Sequence, residues 1–283
     1  MATRAMEQND VPMALRAAES LLMAMLSCER AYLFAHPERE LTSEEARQYQ
    51  QSCARRAKGE PLQYITGRQE FRGLDFRVTP DVLIPRPETE HLVEAAVEVA
   101  KQLAQKGRTL QIVDIGTGSG CIAIALANEL QELTPQADLQ AVDISEKALL
   151  VARQNARHLG LEGRVRFAQS DLLSAFAGQP ESFDIIVSNP PYVGRNEADK
   201  VQREVREFEP DVAVFGGAEG MDIYKRLIPQ AWQSLKPGGW LLMEIGYSIE
   251  APVRALLTEW QNVDAVPDLQ GIPRVVKAQK PAA

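Results

Sequence analysis

The residues with the clearest chemical potential form a short loop, Asn189-Pro190-Pro191-Tyr192, which follows the apolar run 183–188. The two prolines fix their own φ angles and favour extended geometry in the residue before each, so the loop is stiff. Because neither proline has an N–H group, we expect both proline carbonyls to face a site, beside the Asn189 amide oxygen. Such acceptors can bind both hydrogens of an amide or exocyclic amine and orient its nitrogen for attack, while Tyr192 packs on the planar group.

A second candidate is a glycine-rich loop between a buried-strand pattern at 112–115 and a helical pattern. Glycine allows a tight turn and a close approach of backbone to ligand. The dinucleotide fingerprint G-x-G-x-x-G/A needs its third small residue where this chain has Cys121, and a P-loop needs lysine there, so the spacing disfavours NAD and ATP. The loop residues are Gly116, Thr117, Gly118, Ser119 and Gly120.

Acidic residues mark the ends of three consecutive predicted strands: Asp114, Asp143 and Asp171. The carboxyl ends of parallel strands meet at one edge of an open sheet, where ligands bind, and a carboxylate at Asp143 can accept hydrogen bonds from ribose hydroxyls. We expect a cavity edged by acids without Lys or Arg. Such a cavity suits a cationic nucleoside that lacks phosphate, and S-adenosylmethionine, a sulfonium, fits that description.

The elements that must position these loops follow from the hydrophobic pattern. From residue 110 onward, short apolar runs alternate with helical patterns, which predicts βαβ units and a parallel sheet with both faces covered. Candidate strands near 263–266 and 275–278 predict an antiparallel hairpin at one edge. Acidic residues at the start of 87–104 predict a helix that leads into this α/β part.

The front of the chain has a helical pattern. Thr42 and Glu45 form a capping-box signature for a helix that should stop near Gly59. Leu15, Ala18 and Leu22 recur at helical spacing and predict a buried face on an earlier helix. We therefore expect three parts, which are a helical domain at 1–68, a β-hairpin linker at 69–84 and the α/β domain at 85–283.

Composition limits the class of protein. The chain has 283 residues, 45% of them hydrophobic and 25% charged, and a net charge of −8, which argues against a nucleic-acid phosphate backbone as the main partner. No apolar run approaches the roughly 18 residues of a membrane span, so we expect a cytoplasmic protein with its three cysteines reduced. The three histidines, His36, His91 and His158, are widely separated and have no metal-ligand spacing, so we expect no metal.

Several further motifs carry a resemblance to a known family over residues 12–278. Asn-Pro-Pro-Tyr is the motif of methyltransferases that act on a planar nitrogen. The other signature blocks resemble those of the HemK/PrmC peptide chain release factor glutamine methyltransferases, and they are PLQYITG (61–67), LIPRPETE (83–90), FEP (208–210) and GIPR (271–274).

The resemblance implies a class I S-adenosylmethionine-dependent methyltransferase fold, with a mostly parallel seven-stranded sheet, a terminal antiparallel hairpin and a small helical bundle in front. It implies N5-methylation of the glutamine in the Gly-Gly-Gln motif of class I release factors, with Arg86 and Glu90 shaping the substrate or methionine end. It also implies that the helical domain at 1–68 is a substrate-docking domain for this large substrate. We expect a monomer, because a bulky protein substrate must reach the site. By the same resemblance, the cofactor contacts are residues 116–120, Asp143, Asp171, Leu172 and Asn189, the glutamine is held by Asn189, Pro190, Pro191 and Tyr192, and the catalytic residues are Asn189, Pro190 and Tyr192.

Other functions remain as alternatives at this point. An adenine-N6 DNA methyltransferase uses the same acceptors on an exocyclic amine, but it should carry a basic face, whereas residues 69–283 have 30 acidic and 22 basic side chains. A non-catalytic adenosylmethionine-binding adaptor has no need of the intact Asn-Pro-Pro-Tyr loop. An NAD oxidoreductase is disfavoured by the glycine spacing.

Overall fold

The computed structural model describes residues 2–9, 11–105, 109–134 and 136–282. The helices of the first part of the chain are α1 (Ala2–Glu7), α2 (Ala14–Leu26), α3 (Arg30–Ala35), α4 (Ser43–Ala57), α5 (Leu62–Thr66) and α6 (Glu90–Ala104). The later helices are α7 (Cys121–Leu130), α8 (Glu146–His158), α9 (Arg203–Phe208), α10 (Asp211–Val214), α11 (Asp222–Ser234) and α12 (Glu250–Ala255).

The strands form two sheets. The two-stranded sheet consists of β1 (Arg68–Phe71) and β2 (Leu74–Arg77). The strands of the larger sheet are β3 (Gln111–Ile115), β4 (Asp138–Asp143), β5 (Val165–Gln169), β6 (Phe183–Ser188), β7 (Leu235–Glu244), β8 (Gln261–Pro267) and β9 (Pro273–Gln279). Short 3-10 helices occur at Pro87–Thr89, Ser174–Phe176 and Arg195–Lys200.

The chain divides into two compact units. One consists of Met1–Arg68 and Val201–Phe208, and the other of Gln69–Lys200 and Glu209–Ala283. The sequence pattern alone assigns Val201–Phe208 to the α/β part, yet this segment belongs with the helical unit. The linker role of 69–84 stays a prediction.

In the helical unit, the predicted capping box of α4 is confirmed. The Glu45 backbone N–H donates to the Thr42 hydroxyl at 3.2 Å, and the Thr42 N–H donates to the Glu45 carboxylate at 2.8 Å. These two bonds satisfy N–H groups that have no partner within the helix. The helix ends at Ala57, two residues before Gly59.

The buried face predicted for α2 was wrong in part. The buried residues are Ala14, Ala17, Ala18 and Leu21, whereas Leu15 is 60% exposed. Small side chains allow α2 to pack closely against its neighbours, so the alanine stripe lies inside and the larger leucine lies outside.

A buried arginine attaches α9 to α4 within the helical unit. Arg56 is 7% exposed, and its Nη1 donates to the Glu204 carboxylate at 2.7 Å and to the Glu60 carbonyl at 2.8 Å. A buried guanidinium needs such partners because its charge is removed from water. This pair explains why Val201–Phe208 groups with residues distant from it in sequence.

In the second unit, the seven-stranded sheet has the order β5-β4-β3-β6-β7-β9-β8. Strands β3 to β7 pair in parallel, and β9 runs antiparallel between β7 and β8. The predicted parallel sheet with an antiparallel hairpin is confirmed. Ile115 pairs with Val142 and Ser188, and Ser188 with Met243, so the loops that follow β3, β4, β6 and β7 lie at one edge.

Two apolar clusters make up the core of this unit. The first includes residues of α6 and α7 together with Phe71 and Phe76, whose rings meet edge to face at 6.1 Å. The second includes residues of α11 and α12. Because both hairpin phenylalanines are buried in the first cluster, the β1–β2 hairpin is part of the core of the second unit.

Candidate active site

A cavity of about 260 Å³ lies at the carboxyl edge of the parallel strands, within the second unit. Its wall comes from the loops after β3, β4, β5 and β6 and from the segment before α6. Ligand sites in open α/β sheets occur at this edge. The predicted site residues that line it are Gly116, Thr117, Gly118, Ser119, Asp143, Asp171, Leu172, Asn189, Pro190 and Pro191.

The glycine loop presents its backbone to the cavity. The N–H groups of Gly116 and Thr117 donate to the Val142 carbonyl at 2.8 and 3.0 Å, which ties the loop to β4. Gly116 and Gly118 have positive φ angles, and a Cβ at either position would meet no atom within 4 Å. The open space above these glycines is the kind of cradle that a bound cofactor fills.

Gly120 has a different environment from the other two glycines of the loop. A Cβ at Gly120 would lie 3.1 Å from the Cβ of Ala152, so this glycine allows close helix packing and does not line the cavity. Asn155 in α8 holds the same loop, since its side-chain amide donates to the Ser119 carbonyl at 2.8 Å. It also binds the Arg77 backbone in both directions, which links the hairpin to the loop. Sequence reasoning missed Asn155, because a polar residue in a helix resembles a solvated one.

Asp143 combines a supporting role with access to the cavity. Its two carboxylate oxygens accept hydrogen bonds from the N–H groups of Gly118 and Ser145 at 2.8 and 2.9 Å. Burial raises the pKa of Asp143, while these backbone donors oppose the rise. Each carboxylate oxygen has a second acceptor site, so Asp143 can hold the loop and still accept hydroxyl groups from a ligand.

Asp114, the acid at the end of β3, supports the loop from below. It is 1% exposed and accepts a hydrogen bond from the Thr117 hydroxyl at 2.7 Å. Burial raises its pKa to about 7. It is absent from the described residues that line the cavity, so only two of the three strand-end acids border it.

The expectation of a cavity without basic residues was wrong. Arg86 and Arg226 both contribute to its wall, but each is paired with a carboxylate. Arg226 lies 2.6 Å from Asp171, both about half exposed, and Arg86 pairs with the buried Glu209. The two arginine charges are therefore already compensated, and the wall offers no unpaired cation of the kind that a phosphate group needs.

The Asn-Pro-Pro-Tyr loop reaches the cavity through its first three residues. Asn189 donates from its side-chain Nδ2 to the Thr89 hydroxyl at 3.1 Å. Tyr192 is absent from the described lining residues. Its ring lies against Gly246, where a Cβ would be 2.9 Å away, and burial raises the pKa of its hydroxyl.

The Pro191 carbonyl packs against a glycine, contrary to the expectation that both proline carbonyls face the site. A Cβ at Gly216 would lie 2.1 Å from the Pro191 carbonyl oxygen, so this carbonyl packs against Gly216. The Tyr192 carbonyl packs against Gly220 in the same way, also at 2.1 Å. Pro190 lines the cavity, and the orientation of its carbonyl toward a ligand stays a prediction. The glycines at 216 and 220 were the sequence signal of this close approach.

A buried carboxylate that sequence reasoning missed lies next to Asn189. Glu244 ends β7, and the pairing of Ser188 with Met243 sets it beside Asn189. Glu244 is 1% exposed, and burial raises its pKa to about 7, while hydrogen bonding from Thr89 and Asn189 opposes the rise. Its Oε2 atom has no hydrogen-bond partner among the described residues. The signal was an acid directly after an apolar strand, at the edge where the other site residues lie.

Comparison with known proteins decides the family. The PrmC N-terminal domain family matches residues 1–67, and a methyltransferase domain family matches residues 106–265. Over the full chain, the sequence is 56% identical to the release factor glutamine methyltransferase of Koribacter versatilis, of which it covers 97%. It is 42% identical to that of Geobacter sulfurreducens over 91% of this chain and 87% of the relative. The chain belongs to the release factor glutamine methyltransferase family.

The resemblance inferred from the motifs is thus confirmed, and the protein is a methyltransferase. Solved structures agree on the fold. The catalytic domain of hMettl16, in complex with a MAT2A 3′UTR hairpin, has a TM-score of 0.56 and 17% identity over 86% of this chain and 83% of that one. The T. thermophilus 16S rRNA N2 G1207 methyltransferase, in complex with AdoMet and guanosine, has a TM-score of 0.52 and 22% identity over 75% of this chain and 49% of that one. The fold is that of the class I S-adenosylmethionine-dependent methyltransferases.

Two further observations concern the described part of the chain. It contains no group of three or more His, Cys, Asp or Glu side chains arranged to hold a metal ion. Among the helices described, none combines the length and the apolar character that crossing a membrane requires.

Proposed function

We propose that this enzyme transfers a methyl group from S-adenosylmethionine to the side-chain amide nitrogen, N5, of the glutamine in the Gly-Gly-Gln motif of class I peptide chain release factors. The observation that carries the proposal is a single cavity that joins the glycine loop and Asp143 to Asn189 and Pro190. The relatives, which are release factor glutamine methyltransferases by name, support the same acceptor.

The residues present fit the cofactor. Gly116 and Gly118 border open space that can receive it, and Asp143 can accept its ribose hydroxyls. Asp171 and Leu172 are available to the adenine end. When bound, S-adenosylmethionine supplies a methyl group on a positively charged sulfur, which is a good leaving group for direct displacement.

The acceptor loop provides what an amide nitrogen lacks. An amide is planar and a poor nucleophile because its lone pair is delocalised over the carbonyl. Asn189 and the Pro190 carbonyl accept its two N–H hydrogens, which orients the nitrogen toward the methyl carbon and stabilises the positive charge that develops on it. The N–C bond forms as the C–S bond breaks, and one amide proton then passes to water.

The remaining site assignments belong to the same proposal. Pro191 and Tyr192 shape the glutamine pocket, Tyr192 from the packed layer behind it. The enzyme acts as a cytoplasmic monomer on a folded release factor, without direct contact with nucleic acid, and the helical unit contributes to docking.

A methyl-transfer assay with labelled S-adenosylmethionine tests the proposal. A release factor, its Gln→Ala variant at Gly-Gly-Gln and a duplex DNA are offered in parallel. We expect label on the unchanged release factor alone. Label on the DNA would favour adenine-N6 methylation instead, and equal label on the Gln→Ala protein would place the acceptor elsewhere.

A further inference from the structure

Thr89 and Glu244 form a polar group behind the acceptor loop that the proposed reaction leaves without a function. Both are buried, at 2% and 1% exposure, and they lie on separate elements, the turn before α6 and the end of β7. Asn189 contacts this pair through its Nδ2 atom. Burying a carboxylate and a hydroxyl together costs free energy unless they are bonded to one another, so their presence at this position calls for a cause.

We infer that Thr89 and Glu244 are positioning residues for Asn189, which set the direction of a hydrogen-bond chain so that the Asn189 amide oxygen faces the substrate. This inference rests on the proposed function, in which Asn189 accepts a hydrogen from the substrate amide. An asparagine amide has a donor end and an acceptor end, and rotation by half a turn exchanges them.

The direction follows from counting hydrogens. A threonine hydroxyl has one hydrogen, and an ionised carboxylate has none, so the Thr89 hydrogen is directed to Glu244, and this hydrogen bond opposes the rise in the pKa of Glu244. The Thr89 oxygen is then left to accept, and it receives the Asn189 NH₂ group at 3.1 Å. With its Nδ2 end held in this way, Asn189 offers its Oδ1 end to the substrate.

Protonation of Glu244 removes this constraint. A neutral carboxyl group can donate to Thr89, and the Thr89 hydrogen can then turn toward Asn189, which meets it with Oδ1. The NH₂ group of Asn189 would then face the substrate N–H. Because both groups are donors, no hydrogen bond could form between them. The enzyme therefore needs Glu244 in its charged form.

The surroundings of Glu244 define the pH range over which its carboxylate becomes protonated. Burial is the main cause that raises its pKa to about 7, the neighbouring Glu88 raises it further, and Arg274 lowers it. Three other titratable groups are electrostatically coupled to it: Tyr192, Tyr224 and Cys121. Burial raises the pKa of all three, so they are neutral near pH 7 and Glu244 is the member of this cluster that changes charge there.

The first test compares kcat of the unchanged enzyme and Glu244→Gln at several pH values, with a release factor as acceptor. Glutamine has nearly the same shape as glutamate but can donate as well as accept, so it does not fix the direction of the hydrogen-bond chain through Thr89 to Asn189. We expect the ratio of the two kcat values to be within about threefold at pH 6 and to rise to about tenfold or more at pH 8. Because Asp114 is common to both proteins, its titration cancels in the ratio. A ratio that does not change with pH would overturn the inference.

The second test uses the matched pair Thr89→Ser and Thr89→Val. Serine keeps the hydroxyl, so its kcat should stay within about threefold, whereas valine should lower kcat about thirtyfold, in line with the loss of one preorganised contact. KM for the release factor and the Kd of S-adenosylhomocysteine, measured by calorimetry, should change less than about threefold in both. Equal losses in serine and valine would overturn the inference.

Exposed positions provide controls for each substitution. Glu98→Gln and Thr258→Val change the same residue types on the surface, outside the cavity wall, and should leave kcat unchanged. If the thermal midpoint of Thr89→Val shows that it does not fold, the pH ratio of Glu244→Gln still decides the question. If the unchanged enzyme transfers no label to a release factor, it is the proposed function that fails; normal transfer with unaffected variants overturns this inference alone.

Discussion

Asn189 has each end of its side chain assigned to a different partner. Its donor end is bound to Thr89, which leaves its acceptor end for the contact with substrate in the proposed reaction. The contact with substrate therefore strengthens as charge develops on the attacking nitrogen, whereas cofactor binding depends mainly on other loops. Loss of this side chain should affect the chemical step more than binding.

We predict that Asn189→Ala lowers kcat at least about a hundredfold, since one oriented contact in the transition state contributes roughly 3 kcal/mol. The Kd for S-adenosylmethionine should stay within about tenfold. Single-turnover methyl transfer at saturating cofactor, combined with calorimetry, measures both quantities. A complete loss of cofactor affinity would contradict the role assigned to this residue.

Asp143 should behave in the opposite way. The Asp143 carboxylate accepts hydrogen bonds from the N–H groups of Gly118 and Ser145. In asparagine, one carboxylate oxygen is replaced by an NH₂ group, which would face one of these two donors. We expect Asp143→Asn to weaken S-adenosylmethionine binding about tenfold to a hundredfold, with kcat at saturation within about threefold. Asp138→Asn, at the other end of β4 and far from the cavity wall, is the matched control. An unchanged Kd would contradict the ribose contact.

At the level of elements, the parallel strands could be predicted from sequence because each is a short apolar run that ends in a distinctive residue. The strand that ends at Ser188 leads into two prolines, and the strand before Gly116 leads into a glycine loop. Glu244 was not predicted, because its importance depends on which strand is the neighbour of β6. Strand order is a property of the assembled sheet and leaves no local pattern.

The buried face of α2 and the location of α9 show a second limit of prediction from sequence. Alanine and leucine stripes both have helical spacing in α2, and only the packing partner decides which one lies inside. The association of Val201–Phe208 with the helical unit depends on Arg56, about 150 residues away in the chain. Charge pairs over such distances cannot be derived from composition, since many arginines and glutamates could pair.

The pair between Arg56 and Glu204 gives a prediction for α9. Glu204→Gln leaves a buried guanidinium without its carboxylate, which should lower the free energy of unfolding by about 1–3 kcal/mol. This loss is smaller than that expected for a fully buried pair, because Glu204 is partly exposed. Glu207→Gln on the same helix breaks only exposed pairs, with Arg203 and Arg206, and should cost less than about 0.5 kcal/mol. Urea unfolding of both variants measures the difference, and equal values would contradict a structural role for the buried pair.

For the whole molecule, two buried acids make stability depend on pH. Burial raises the pKa of Asp114 and Glu244 to about 7, well above the values of unfolded chains, so the folded protein binds more protons than the unfolded one between about pH 4 and 7. The contribution of these groups to stability is therefore largest at low pH and is lost as the pH rises through about 7.

We predict that the free energy of unfolding falls by about 2 kcal/mol per group between pH 5.5 and 8, relative to a double variant, Asp114→Asn with Glu244→Gln. Urea unfolding of both proteins at the two pH values measures this difference directly, because all other titrating groups are shared. Parallel pH dependences in the two proteins would show that neither acid has a raised pKa in the folded state.

The place of β9 in the sheet has a consequence for synthesis on the ribosome. This strand lies between β7 and β8, and its Val275 pairs with Glu244. While residues 273–279 are still inside the exit tunnel, β7 has an open edge, and β8 has no strand to pair with. Since domains made from the N-terminus fold as soon as their parts are available, the glycine loop can form early, but the edge that carries Glu244 is completed only after that strand emerges. A nascent chain stalled before residue 273 should therefore transfer no methyl group.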